Sequence, residues 1–366
     1  MKKVLHYVSS MKRAGEETFI MNVYRNIDRN KVSFDFLVTD NEEGDYDKEI
    51  YSMGGKIYHI HLNRLHNKLK QIDNFYLLKK KLTVLANEYE YFHIHTQHAM
   101  DAFLSALAAK MAGIPNVIVH SHNSSTIYNK RTHRIFKVLL NCIKINRFAC
   151  GVDAGKWMYG NRDFLIVNNG IDLTEFKFDE KKRKNIREKM NWSNKYVVGH
   201  VGRFNEQKNH NFLIDVFYNF QKNHQEAILV LIGAGELKEK IQNKVRRLKI
   251  QDKVFFLGIR EDVKDLYQGM DIFVFPSLFE GLPVVLVETQ ALDLPCIISN
   301  TITNEIDINS NIYRLSLSDS VQNWSNKIDL VYRKNSKRID TQNIMTKKGY
   351  NIKDVTEKLQ KIYLEN

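Results

Sequence analysis

Two glutamates, Glu280 and Glu288, have seven residues between them and flank a glycine–proline turn. The stretch is Pro276-Ser277-Leu278-Phe279-Glu280-Gly281-Leu282-Pro283. It leaves an apolar run at Ile272–Phe275 and enters a helix-forming segment that carries Glu288. A carboxylate accepts hydrogen bonds from neutral hydroxyls, the groups that sugar and ribose rings present. Gly281 lets backbone approach a ligand closely, and the helix start after it offers N–H groups to an anion. Two isolated glutamates would read as a loop acid and a helix-surface acid. The apolar strand before them and the Gly281–Pro283 turn favour the binding reading, since ligands gather at the C-terminal ends of strands in open α/β sheets.

A second constellation is Val201-Gly202-Arg203-Phe204-Asn205-Glu206-Gln207-Lys208-Asn209. It follows the apolar run Tyr196–Val201 and opens a helix. Gly202 permits a tight exit from the strand. Arg203 brings forked donors and Lys208 a point charge, a pairing suited to a pyrophosphate. A solvated basic loop is the competing reading, and in a chain with 55 Lys and Arg it is a common one. Histidines also gather at strand ends: His93, His95, His98, His120 and His122. Such crowding fits a cleft role or a metal cluster. Nothing else in the sequence forces those five side chains to converge.

The elements that must position these residues alternate between short apolar strands and amphipathic helices. In the first half, strands are expected at Val4–Val8, Phe34–Val38, Lys56–Ile60, Tyr91–His95, Val117–His120 and near Arg147–Val152. Helices are expected at Glu17–Ile27, His66–Leu85, Ala102–Met111 and Arg131–Ile143. The second half repeats the pattern, with strands at Tyr196–Val201, Ile228–Ile232, Val254–Leu257, Ile272–Phe275 and Cys296–Ser299. Helices there are Asn211–Phe220, Leu237–Leu248, Val263–Tyr267 and Val284–Leu292. Alternation with β-branched strands implies parallel sheets covered on both faces. Asn168-Asn169-Gly170 is a turn signal, and the charged stretch Asp179–Asn194 comes after it. The reading is an N-terminal domain over 1–168, a C-terminal domain over 169–348, and a terminal amphipathic helix within 349–366 that packs back on the first domain.

At 366 residues and 43% hydrophobic, the chain is long enough for two globular domains and too apolar for disorder. No apolar run approaches the roughly 18 residues of a membrane span. Met1–Ser9 lacks the apolar core of a secretory signal. Cys142, Cys150 and Cys296 have no metal-type spacing and read as reduced thiols of a cytoplasmic protein. The net charge of +13 admits nucleic acid, an anionic membrane or a phosphorylated substrate as partner. Zinc-ligand, RNA-recognition and helix-turn-helix signatures are missing, so no nucleic-acid partner is expected.

The Phe-Glu-Gly-Leu-Pro setting of Glu280 and Glu288, Gly202-Arg203 with Lys208, and Asn169-Gly170-Ile171-Asp172 together resemble the retaining GT-B glycosyltransferases of family 4. The nearest likeness is to the bacterial exopolysaccharide and capsule branch, and it covers nearly the whole chain. The resemblance implies an α/β GT-B fold: two Rossmann-like domains with parallel sheets facing across a cleft. The first would bind acceptor and the second a nucleotide sugar, UDP-linked. It implies that Arg203 and Lys208 bind the donor diphosphate and that Glu288 binds the ribose. Glu280 with Gly281, Leu282 and Pro283 would hold the transferred sugar. Ile259 and Arg260, after Gly258, would frame the base, and Gly233 and Gly235 would lie at the same edge. His122 matches the family histidine that faces the sugar. Gly15 lies where the family carries a glycine-rich loop, here Arg13-Ala14-Gly15-Glu16-Glu17. In that loop Ala14 replaces a glycine and Glu16 a small residue, a departure that weakens its phosphate or acceptor role. Asp293 is a second departure, standing where relatives tend to have glycine.

The same resemblance implies a retaining, hexosyltransferase-type enzyme that needs no metal or other cofactor, the nucleotide sugar being a substrate. Asp45-Tyr46-Asp47 spells the Asp-x-Asp metal pattern of the other major glycosyltransferase fold, but in a polar loop, Asp40–Lys48, rather than after a buried strand. The acceptor implied is a glycan or a lipid-linked sugar in cell-surface polysaccharide synthesis. Leu65–Leu82 alternates apolar and lysine residues and suits either a covering helix or a peripheral site on an anionic membrane, with Lys130, Arg131, Arg134 and Lys137 extending it. A UDP-sugar 2-epimerase on the same architecture, and a non-catalytic nucleic-acid or membrane binder on a decayed scaffold, are the alternative readings.

Overall fold

The computed structural model describes residues 1–62, 68–125, 129–334 and 336–365, with the backbone alone for 68–71. The chain divides into two compact units: Met1–Gly170 with Ile352–Asn366, and Ile171–Asn351. The divisions thus fall at 170/171 and 351/352, a few residues after the turn and the basic segment that marked them in the sequence.

The first unit carries β1 (Lys2–Val8), α1 (Gly15–Asn26), β2 (Val32–Val38), α2 (Asp47–Ser52), β3 (Ile57–His59), α3 (Lys68–Leu85), β4 (Tyr91–Thr96) and α4 (Ala99–Met111). It continues with β5 (Asn116–Ser121), α5 (Lys130–Asn141), β6 (Asn146–Ala149), α6 (Val152–Tyr159) and β7 (Leu165–Ile166). Its sheet runs β3-β2-β1-β4-β5-β6-β7, parallel throughout. One face buries Phe19, Ile20, Val23 and Tyr24 of α1 against Ile352, Val355, Leu359 and Tyr363. Those last four lie on the terminal helix, Ile352–Glu365, so this helix completes the first unit's core. The other face packs Leu78 and Leu82 of α3, the alanines of α4 and Leu140 of α5.

The second unit carries α7 (Glu180–Lys189), β8 (Tyr196–Val201), α8 (His210–Gln221), β9 (Ala227–Ile232), α9 (Lys238–Arg247), β10 (Val254–Gly258) and α10 (Val263–Gly269). Then come β11 (Ile272–Phe275), α11 (Val284–Ala291), β12 (Cys296–Ser299), β13 (Ile312–Leu315), α12 (Val321–Lys334) and α13 (Gln342–Lys347); the terminal helix is α14. Its parallel sheet runs β10-β9-β8-β11-β12-β13.

Both orders have the same logic. The chain lays down three strands outward, then returns to place the next strand on the other side of the first. The reversal lies between β1 and β4 in the first unit and between β8 and β11 in the second. Loops leaving neighbouring strands part in opposite directions there and leave a crevice for ligands.

The structure extends the sequence reading in three places. The charged stretch after Asn169 contains α7, which buries only Ile186 and so has no apolar stripe. Asp179 caps it by accepting from Lys182 N at 3.0 Å, while Arg183 and Arg187 pair with Asp271. The polar loop after Asp40 ends in α2, and its two aspartates hold backbone: Asp45 accepts from Arg13 N at 2.8 Å and Asp47 from Gly44 N at 2.9 Å. Asp293 has φ of +50°, the left-handed turn that explains why glycine suits this position. Its carboxylate accepts from Ile339 N at 2.7 Å and Asn311 Nδ2 at 2.6 Å.

Candidate active site

In the second unit the two loops singled out by sequence leave adjacent strands at the reversal point. The Gly202–Asn209 loop follows β8 and the Pro276–Pro283 loop follows β11. Leu278 N donates to Gln207 O at 2.8 Å, and Gln207 Nε2 donates to Phe279 O at 2.9 Å. These bonds tie loop to loop and bring their charges together. Lys208 Nζ lies 2.6 Å from Glu280 Oε1, with 16% and 8% of the two side chains exposed. The ammonium also lies 4.7 Å from the centroid of the Phe275 ring. Lysine and glutamate, which the resemblance gave separate tasks, therefore form a mostly buried ion pair.

Arg203 is largely exposed, with its guanidinium 3.5 Å from Glu236. The loop offers one enclosed and one exposed cation, each matched by an acid. An anion arriving here would compete with Glu236 for Arg203 at little cost, because exposed ion pairs are weak. Gly202 leaves room for its neighbours: a Cβ would come within 3.2 Å of the Lys208 side chain. Gly233 and Gly235, after β9, have φ of +135° and +153°. Their Cβ atoms would lie 2.2 Å from Gly202 O and 2.5 Å from Phe204 O. The two glycines thus let the β9 loop press against the β8 loop.

Glu288 lies in the second turn of α11, half-buried, and accepts from Tyr267 Oη at 3.0 Å. Burial pushes its carboxyl up to about 7, against the pull of the tyrosine bond. One oxygen is fixed by Tyr267 and the other remains for a hydroxyl donor. Gly281, Leu282 and Pro283 are buried, and Pro283 caps α11, whose first turn leaves N–H groups without helical partners. After β10, Ile259 is exposed and Arg260 grips Asp262 through bonds of 2.8 and 2.6 Å. These residues occupy loops or helix starts after four strands: β8, β9, β10 and β11.

In the first unit Gly15 is the first residue of α1 and has no positive φ, so the helix start does not demand glycine. Glu16 is half-buried, and burial together with the Glu17 charge raises its carboxyl well above the ordinary range. His122 is half-buried after β5. The histidine grouping differs from the sequence expectation in membership. His98 instead caps α4, accepting from Met100 N at 3.3 Å, and its ring meets His133. His6 of β1 joins in its place, because β1 lies beside β4 and registers His6 against His93. His6 Nδ1 is 2.9 Å from His95 Nε2, and His95 Nδ1 is 2.9 Å from His122 Nε2. Two imidazole triads, His6/His93/His95 and His95/His120/His122, each bring nitrogens within 4.8 Å of one another. Histidines of this region therefore do converge, which their crowding at strand ends allowed but did not require. Neither triad contains a carboxylate to offset a cation's charge in a buried setting.

Sequence reasoning missed Tyr267, Gln207, Glu236 and His6. Gln207 stands within a marked loop and Glu236 directly after Gly235, but their partners are fixed only by strand order.

This fold is shared with solved glycosyltransferases. HepE of Anabaena, in complex with UDP and glucose, superposes with a TM-score of 0.82 over the full length of both chains at 17% identity. The match defines the fold as GT-B. The profile of the family described as Glycosyl transferases group 1 matches residues 182–352. The putative glycosyltransferase EpsF of Bacillus subtilis (strain 168) is 37% identical over 344 residues, 89% of this chain and 87% of its own. The chain belongs to the group 1 glycosyltransferase family. An Escherichia coli UDP-Gal:alpha-D-GlcNAc-diphosphoundecaprenol alpha-1,3-galactosyltransferase is 25% identical over 318 residues, covering 81% of this chain and 79% of its own.

Proposed function

We propose that this glycosyltransferase moves a hexosyl or N-acetylhexosaminyl group from a UDP-sugar to a glycan or lipid-linked acceptor, with retention at the anomeric carbon, in cell-surface polysaccharide synthesis. The observation that carries the reading is the Lys208–Glu280 pair, which joins the loops after β8 and β11 where a Rossmann-like sheet takes its ligand. UDP as the nucleotide is supported by the ligand of HepE and by the donor named for the E. coli relative, whose acceptor is lipid-linked.

In this reading Arg203, Lys208 and the start of α11 hold the diphosphate. Glu288 accepts from the ribose hydroxyls, Glu280 and the Gly281–Pro283 backbone hold the sugar, and His122 hydrogen-bonds a sugar or phosphate oxygen. The bond from the anomeric carbon to the phosphate oxygen breaks, and UDP leaves with that electron pair. The acceptor oxygen bonds to the same face of the carbon and yields its proton to a donor phosphate oxygen. Cations and helix N–H groups stabilise the departing charge, so the reaction calls for no metal.

The membrane-facing surface expected at Leu65–Leu82 falls partly on residues 65–67, outside the described ones. Within α3, Ile72, Tyr76, Leu77 and Val84 are exposed. On α5, Ile135, Val138 and Leu139 are exposed beside Lys130, Arg131 and Arg134. Apolar side chains among cations suit an anionic bilayer, and we assign this surface to peripheral binding at the cytoplasmic face. Among the described residues no helix is long and apolar enough to cross a membrane.

The test is a UDP-release assay over UDP-glucose, UDP-galactose and their N-acetylhexosamine counterparts, with undecaprenyl-diphosphate sugar as acceptor. Acceptor-dependent UDP release that collapses in Lys208→Ala and Glu280→Ala is expected. Turnover unaffected by either change would refute the site.

A further inference from the structure

Three histidines lie in a row across the reversal point of the first sheet. His6 is on β1, His95 on β4 beside it, and His122 just beyond β5. Each contact in the row is nitrogen to nitrogen at 2.9 Å. Burial lowers His6 and His122 to about 3, and depresses His95 well below the ordinary histidine range. All three rings are therefore neutral at neutral pH, and each carries one N–H.

Neutral rings in this register have two consistent proton arrangements. With every proton on Nε2, His122 donates to His95, His95 donates to His6, and His6 Nε2–H is left over. With every proton on Nδ1, His6 donates to His95, His95 donates to His122, and His122 Nδ1–H is left over. Mixed arrangements place two protons, or two lone pairs, against each other at 2.9 Å. The ends of the row decide between the two. His6 Nε2 is buried and has no hydrogen-bond partner, and the rings of Phe34, Phe36 and His93 lie within 5.7 Å of the His6 ring, centroid to centroid. An N–H placed there would lack the hydrogen bond that water or a ligand can supply at the other end of the row, so the free proton is better held at His122. His122 is half-buried, and its Nδ1 has no bond to a described residue.

We infer that His6, His95 and His122 form a chain of imidazole hydrogen bonds running one way, which presents His122 Nδ1–H as a donor to an unprotonated oxygen of the ligand. His6 and His95 are positioning residues, and His122 is the group that meets the ligand. Held in this tautomer, His122 serves a phosphate oxygen or a hydroxyl lone pair and cannot take the proton of an acceptor hydroxyl. That a ligand meets His122 rests on the proposed function; the direction of the chain stands apart from it. The neighbouring imidazoles do not interrupt the row. His93 bonds Tyr363 Oη at 2.7 Å, and His120 stacks on His93 with both of its own nitrogens unbonded.

The experiment uses full-length protein labelled with ¹⁵N in histidine and two-bond ¹H–¹⁵N correlation spectra, which distinguish Nδ1–H from Nε2–H rings. His6→Asn and His122→Asn spectra supply the assignments. His6, His95 and His122 are expected to show the protonated-Nδ1 pattern. In His6→Asn, whose amide N–H can replace the Nδ1 donor, His122 keeps that pattern. In His6→Leu it loses its uniform tautomer. An Nε2–H or doubly protonated pattern at any of the three in the unmodified protein overturns the inference, as does a stoichiometric bound metal. Failure of the UDP-release assay, with the Nδ1 pattern intact, would instead remove the assigned ligand and leave the chain.

Discussion

Lys208 and Glu280 meet at 2.6 Å across the loops that leave β8 and β11, both side chains mostly buried. Removing one partner leaves the other charge buried and unpaired. Lys208→Met or Glu280→Leu alone is expected to cost on the order of 3 kcal/mol. The double change should cost less than the two single costs together. Urea unfolding of the four proteins gives the coupling, and simple additivity would mean that the pair does not interact in solution.

In its proposed ribose role, Glu288 is expected to make donor binding depend on pH. Burial raises its carboxyl to about 7, so between the ordinary carboxylate range and that value the folded chain holds a proton that the unfolded chain has released. Its contribution to stability therefore falls as pH climbs through this window. Binding runs the other way, because two ribose hydroxyls need an acceptor and the carboxylate form prevails only above about pH 7. Calorimetry with UDP should show affinity rising from about pH 6 to about pH 8. Glu288→Gln should flatten that rise, and an equal slope in both proteins would separate Glu288 from the nucleotide.

Gly235→Ala sets a Cβ 2.5 Å from Phe204 O on a backbone at φ +153°. Few residues other than glycine adopt this region, and strain of about 1–3 kcal/mol is expected. The β8 loop would have to move away. Thermal melting should detect the loss, with weaker UDP binding alongside it. Gly258→Ala meets no atom within 4 Å, so at φ +69° it reports backbone strain alone and serves as the comparison.

Asp293→Gly tests whether the aspartate repays its left-handed backbone. Glycine would relax φ but forfeit the bonds to Ile339 N and Asn311 Nδ2. Hydrogen bonds to a charged group are worth about 1.5–3 kcal/mol, more than the roughly 1 kcal/mol of relief, so net destabilisation is expected. A gain in the unfolding midpoint would show that the bonds contribute little.

Ile135→Asp with Val138→Asp, on exposed positions of α5, should leave the melting temperature almost unchanged. Binding to vesicles containing phosphatidylglycerol should fall severalfold in a flotation assay. Unaltered flotation would remove α5 from the membrane-binding surface.

The strands of the second unit were legible because each is a short apolar run between turn residues; Tyr196–Val201, Ile272–Phe275 and Cys296–Ser299 coincide with the observed bounds. Helix α7 escaped notice because its stability comes from a cap and from arginines reaching Asp271, with only Ile186 buried. The loops flanking Glu280 and Lys208 were recognisable from residue type, whereas their ion pair depends on β8 and β11 being neighbours. That adjacency is a property of strand order, which local pattern does not encode. The same is true of His6, an unremarkable strand residue until β1 is placed beside β4.

Helix α14 supplies Ile352, Val355, Leu359 and Tyr363 to the first unit, although residues 171–351 intervene. A ribosome must therefore translate beyond residue 363 before the amino-terminal sheet can be fully covered. At common elongation rates the nascent first unit waits on the order of 10 s with Phe34 and Tyr91 lacking their permanent cover. The second unit has its own sequence in hand earlier, so maturation of this enzyme runs against the direction of synthesis.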